Sequence, residues 1–142
     1  MTITARSAMA IVAITRDEAR VWNAGMEKGT APQRLHPSSD LGQHHHVRQA
    51  QHHRGHDTDH DNLRFYESIA QALADANEIL IIGHGTGKAD HIVRFTQFLE
   101  RKHPATAARV VGAMDSNLYA MTEAQVLSAA REGFDHFHTW GF

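Results

Sequence analysis

Cysteine is absent from this chain. Disulfides, thiolate metal sites and cysteine nucleophiles are therefore excluded. Charge of one sign is not in excess either. The formal balance is −2 with histidine neutral, which argues against coating nucleic acid by bulk charge. Long hydrophobic runs are missing. The first apolar run, Ala8 to Ile14, is too short to span a bilayer. Arg16, Asp17 and Glu18 follow it without a small-residue cleavage site, so no signal peptide is read. The expectation is a soluble, cytoplasmic protein with no membrane partner. No internal repeat is found, and 142 residues fit a single domain over 1–142 with a substantial core.

The apolar patterning gives the fold class. Ala8 to Ile14 reads as a first strand and Thr15-Arg16-Asp17 as a turn. Glu18 to Asn23 alternates polar and apolar as a half-exposed strand does, with Ala19 and Val21 on one face and Arg20 on the other. Gln33 to His36, between Pro32 and Pro37, is a third, short strand. A helix is predicted from about Asp61 to Ala76, with Leu63, Tyr66, Ile69, Ala70 and Leu73 on one face. Glu78 to Gly83 holds four consecutive aliphatics and reads as a strand buried on both faces. A helix from Lys88 to about Lys102 stops at His103-Pro104, and Ala108 to Met114 is a further strand. Thr122-Glu123-Ala124-Gln125 forms a capping box for a last helix ending around Gly133. The order β-β-β-α-β-α-β-α predicts an α/β domain with a mixed sheet.

Histidine is what the chain has in unusual supply: thirteen, eight of them between His36 and His60. Residues 37–58 carry no apolar periodicity and read as an exposed polar loop. His52, His56 and His60 are spaced four apart, His44, His45 and His46 are adjacent to one another, and Asp57, Asp59 and Asp61 supply oxygen. Neutral imidazole binds zinc, nickel or copper. The loop is thus a candidate site for Zn or another transition metal, or a solvated segment that collects metal incidentally. Near about pH 6 its imidazoles protonate, and with Arg48 and Arg54 the loop becomes cationic and attracts RNA phosphate.

The second candidate is Gly83-His84-Gly85-Thr86-Gly87-Lys88, a glycine-rich turn between a buried strand and a helix. It is not a P-loop, because three residues rather than four separate Gly83 from Gly87 and Ala89 follows the lysine. Nor is it a dinucleotide fingerprint. Two readings stay open: a tight turn needing glycine conformations, or a phosphate site using backbone N–H groups and Lys88. Two-metal nuclease chemistry lacks its carboxylates, since neither Ala8 to Ile14 nor Ile79 to Ile82 carries one. No complete catalytic constellation is found. Phe95 and Phe134 read as core. Trp22 falls on the polar side of its strand and is a candidate base stacker with Phe98. Trp140 and Phe142 suggest terminal docking, and His136 and His138 alternate as on a strand.

Together these residues resemble a known family. Ala8 to Trp22, His44-His45-His46, the helix Leu63 to Ala76, Glu78 through Lys88, His103-Pro104 and Arg109-Val110-Val111-Gly112 look like a family of small bacterial proteins labelled translational machinery proteins. That family is related to the middle domain of archaeal and eukaryotic class one peptide-chain release factors. The resemblance covers nearly the whole chain and implies a ribonuclease H-like mixed sheet. It also implies a ribosome- or RNA-associated accessory role in translation, although a shared fold does not by itself fix function. Release factors carry Gly-Gly-Gln before their first long helix. Here Leu41-Gly42-Gln43 stands in that place, so Gly42 and Gln43 are the catalytic candidates for a peptidyl-tRNA hydrolase-like alternative, or a chance dipeptide. The outer edge of the antiparallel strands is a candidate homodimer contact.

Overall fold

The computed structural model describes residues 9–25, 29–37, 56–84 and 91–141, with the backbone alone for 56–62. Its elements run β1 Met9–Ile14, β2 Ala19–Trp22, β3 Gln33–Leu35, α1 His56–Ala72, β4 Glu78–Gly83, α2 His91–Lys102, α3 Pro104–Ala107, β5 Val110–Asp115 and α4 Glu123–Trp140. A 3₁₀ turn, Leu118–Ala120, precedes α4. The five strands form one sheet in the order β3-β2-β1-β4-β5. β1 pairs antiparallel with β2 and parallel with β4, β3 is antiparallel to β2, and β5 is parallel to β4. This is the mixed α/β sheet that the patterning predicts.

β1 and β4 are central, so both faces need cover, and their aliphatic runs supply it. On one face Val12, Ile14, Ile79 and Ile81 pack against Phe65, Ile69 and Leu73 of α1 and its last turn, and Phe95 and Leu99 of α2. On the other, Ile11, Ala13, Leu80 and Ile82 pack against Val126, Leu127, Ala130 and Phe134 of α4. Each fully buried Val, Leu, Ile or Phe among them contributes about 1.5–3 kcal/mol relative to exposure.

Several elements depart from the sequence expectations. β2 is buried at all four positions, because α4 covers the face expected to meet solvent. Trp22 is therefore core, 1 % exposed. Its indole N–H donates to the Thr30 carbonyl at 2.9 Å, and the Arg20 guanidinium lies 5.8 Å from its ring centre. Leu63 is 42 % exposed while Phe65 is buried, which rotates the inward stripe of α1. α1 begins at His56, inside the stretch expected as loop. α4 continues through Gly133 to Trp140, so His136 and His138 lie on a helix rather than on a strand. A methyl group at Gly133 would meet Leu80 Cδ2 and Met114 Sδ at 3.0 Å. This glycine permits close helix–sheet approach, and the helix ends instead at Gly141, φ 75°.

The helix ends show where local signals are replaced by distant ones. The capping box is present: Thr122 accepts from the Gln125 N–H at 3.1 Å and Gln125 accepts from the Thr122 N–H at 2.8 Å. The last carbonyls around the end of α1 are satisfied from across the fold. Asn23 donates to the Ala72 carbonyl at 2.9 Å. Arg109 Nη1 donates to those of Ala74 and Ala76 at 3.3 and 3.2 Å. His103 joins Glu67 at 2.8 Å, and this bond, with a second from Gln71, holds the Glu67 carboxyl below its usual range.

Candidate functional site at the carboxyl end of the parallel strands

In open α/β sheets, ligands bind outside the carboxyl ends of parallel strands. Here Ile14, Gly83 and Asp115 end side by side. The His84 N–H donates to the Ile14 carbonyl at 3.3 Å and the Ser116 N–H to that of Gly83 at 2.9 Å, so the pairing continues one residue past each strand. Gly83 is not a conformational glycine, since the positive-φ glycines are Gly25, Gly29 and Gly141. It is required by space: a methyl group there would lie 2.2 Å from Ile92 Cγ1. The turn reading therefore needs correcting at this position. Glycine at the end of β4 lets the start of α2 close over the sheet.

His84 follows at once, and its ring is fixed. The Leu118 N–H donates to its Nδ1 at 3.0 Å, so the neutral imidazole carries its proton on Nε2. The Tyr119 ring stands edge-on to it, centroids 4.3 Å apart. The Tyr119 hydroxyl donates to Asp17 at 3.2 Å. Asp17 sits in the turn after β1 that Thr15 organises, its hydroxyl donating to the Glu18 carbonyl and accepting from the Asp17 and Glu18 N–H groups. The loop after β5 thus holds the imidazole, and the turn after β1 reaches it through Tyr119. Neither Asp17 nor Tyr119 was singled out for the site from the sequence, because each is an ordinary loop residue until the strands bring the loops together.

An ion network adjoins the antiparallel side. Arg20 and Arg34 are cross-strand neighbours and share Glu18 and Glu123, with His36 also on Glu18 at 3.2 Å. These guanidiniums are engaged, so they fasten the amino end of α4 to β2 and β3 rather than serving a ligand. At the far end of the sheet, a cleft of about 260 Å³ is lined by Met9, Ala10, Asn23, Ala72, Asp75 and Ala76, away from His84.

Of the sequence-predicted site residues, Gly83 and His84 are placed at this edge. Gly85, Thr86, Gly87 and Lys88 lie outside the described residues, as do Gly42, Gln43, His44, His45, His46, Arg48, His52 and Arg54. His56 and His60 are on the first turns of α1, described by backbone only. Among the described residues no group of three or more His, Cys, Asp or Glu is placed to hold a metal ion, and no helix is long and apolar enough to cross a membrane.

Comparison with known proteins was sparse. No protein-family model and no curated protein matches the chain. Among solved structures, the crystal structure of the archaeal translation termination factor aRF1 is similar at 13 % identity and a TM-score of 0.41. The match covers 92 % of this chain and 40 % of that one. The chain thus spans about two-fifths of that protein's length.

Proposed function

We propose that the chain is a ribosome- or RNA-associated accessory protein of translation that grips RNA phosphate at the carboxyl end of its parallel strands. One observation carries the reading. His84 is held through Nδ1 by the Leu118 N–H, which leaves an Nε2 N–H as a donor on the residue that opens, in sequence, the glycine-rich run ending in Lys88. Imidazole N–H, backbone N–H groups and one ammonium make a phosphate-binding set. A few such contacts suit a chain of formal charge −2, whose affinity cannot come from bulk charge. Arg48, Arg54 and the loop histidines add positive charge as pH falls.

The test is co-sedimentation of the untagged protein with ribosomes at near-physiological salt, at about pH 7.5 and about pH 6. Stoichiometric pelleting is expected, greater at the lower pH. His84→Ala and Lys88→Ala lower it at both. Deletion of residues 38–55, which spares α1, abolishes the gain on acidification. Absence of pelleting at either pH removes the proposal.

A further inference from the structure

We propose that the site takes an unstacked nucleotide of single-stranded RNA, with its base on the Tyr119 ring and its phosphate on His84. This rests on the phosphate reading above and names the form of RNA that the site selects. Tyr119 carries it. The 3₁₀ turn Leu118–Ala120 buries Leu118 against the cluster of Val126, Leu127 and Phe134 and turns the next residue to solvent. Tyr119 is 62 % exposed, although its hydroxyl donates to Asp17 at 3.2 Å and its ring meets His84. What stays open is therefore ring rather than hydroxyl. A free tyrosine turns about two side-chain bonds. This one is already fastened at its tip and at its ring, so seating a base on it costs little further ordering.

Polar groups flank the ring. Beside it stands His84, centroids 4.3 Å apart, with its Nδ1 taken by the Leu118 N–H and its Nε2 N–H left as donor. At the hydroxyl end, the exposed Arg16 guanidinium approaches the Asp17 carboxylate to 4.0 Å and offsets its charge. A flat apolar face with an N–H donor next to it suits a base and the phosphate one sugar away from it.

The charges favour one strand over two. Asp17 and Asp115 are both exposed at this edge, so the described residues supply no cationic surplus for the paired phosphate rows of a duplex. A duplex also keeps its bases stacked on one another and offers Tyr119 no face. Single strands and loops do, and aromatic side chains recognise them by stacking.

Fluorescence anisotropy of the full chain tests this at near-physiological salt, with a labelled single-stranded RNA of mixed sequence and with the same strand annealed to its complement. Tighter binding of the single strand is expected. Tyr119→Ala weakens that complex about tenfold, the effect of losing one stacked base, with little change in melting temperature because the side chain is exposed. Tyr119→Phe keeps the ring and the preference. Tyr119→Leu keeps apolar bulk without a ring and loses the preference, a difference that a merely structural role would not produce. Trp140→Ala leaves binding unchanged: that ring is exposed too, but it lies on the last turn of α4, where His138 meets Glu78 at the opposite end of β4. Equal affinity for the two forms of RNA, indifference to Tyr119→Leu, or no binding to either form overturns this inference. The phosphate reading survives those results if the protein pellets with ribosomes, and falls only if pelleting fails as well.

Discussion

A methyl group added at Gly83 and one added at Gly133 meet different neighbours. At Gly83 it runs into Ile92 Cγ1 at 2.2 Å and Cδ1 at 2.6 Å, atoms of a β-branched side chain with little rotamer freedom. Gly83→Ala is expected to destabilise by about 1–3 kcal/mol, and less in an Ile92→Ala background, as read from denaturant midpoints. At Gly133 the contacts at 3.0 Å are the ends of Leu80 and Met114, which can shift. The helix interior there gains roughly 0.8–1 kcal/mol from alanine, so Gly133→Ala is expected to lie within about 1 kcal/mol of neutral. Tyr66 offers a pH prediction. Burial pushes its hydroxyl from 10.0 up to about 12, against a smaller pull from Arg94, and the hydroxyl meets His91 Nδ1 at 3.0 Å. A raised folded value means that the stabilisation is complete below 10.0 and is lost as pH climbs towards about 12. Alkaline unfolding should therefore steepen in that window, and Tyr66→Phe should flatten it at a cost of about 1 kcal/mol near neutrality. The sequence identified Gly83 as special but not why, since proximity to Ile92 is a tertiary fact.

At the scale of elements, a hydrophobic period or a paired local signal was readable in advance. β4, the capping box of α4 and the stop at Pro104 all follow from residues within a few positions of one another. Thr122→Ala removes the acceptor for the Gln125 N–H and should cost about 1 kcal/mol. The same substitution should loosen the Arg34–Glu123 contact one residue away. The measurable sign is a lower melting temperature whose deficit shrinks at high salt, where the ion pairs already contribute less. What the sequence concealed were elements whose limits depend on something distant. The alternation in β2 suggested a solvent face, yet α4, a hundred residues later, covers it. Gly133 resembled a helix stop because a glycine that ends a helix and one that lets a helix approach a sheet are identical in a string. The hub at His84 was half legible: the histidine stood beside a glycine run, while Asp17 and Tyr119 had no local signal.

For the molecule as a whole, the sheet order places the earliest strand at its centre. β1 meets β2 within a few residues, but its other partner, β4, lies in register from Met9 opposite Glu78 to Ile14 opposite Gly83, far along the chain. Such long-range pairing raises contact order and slows folding, because the intervening segment must be brought together before any contact rewards it. Removal of residues 38–55 shortens that segment without touching a described core side chain. The deletion should therefore speed refolding in stopped-flow fluorescence while leaving the unfolding rate nearly constant. During synthesis the same order has a sharper meaning. A nascent chain that has emerged only as far as β3 displays the apolar flank of β1 with nothing to pair it. The domain can close only after β4 leaves the exit tunnel, so until then its first half carries an unpaired, apolar strand flank of the kind that makes incomplete chains prone to aggregate.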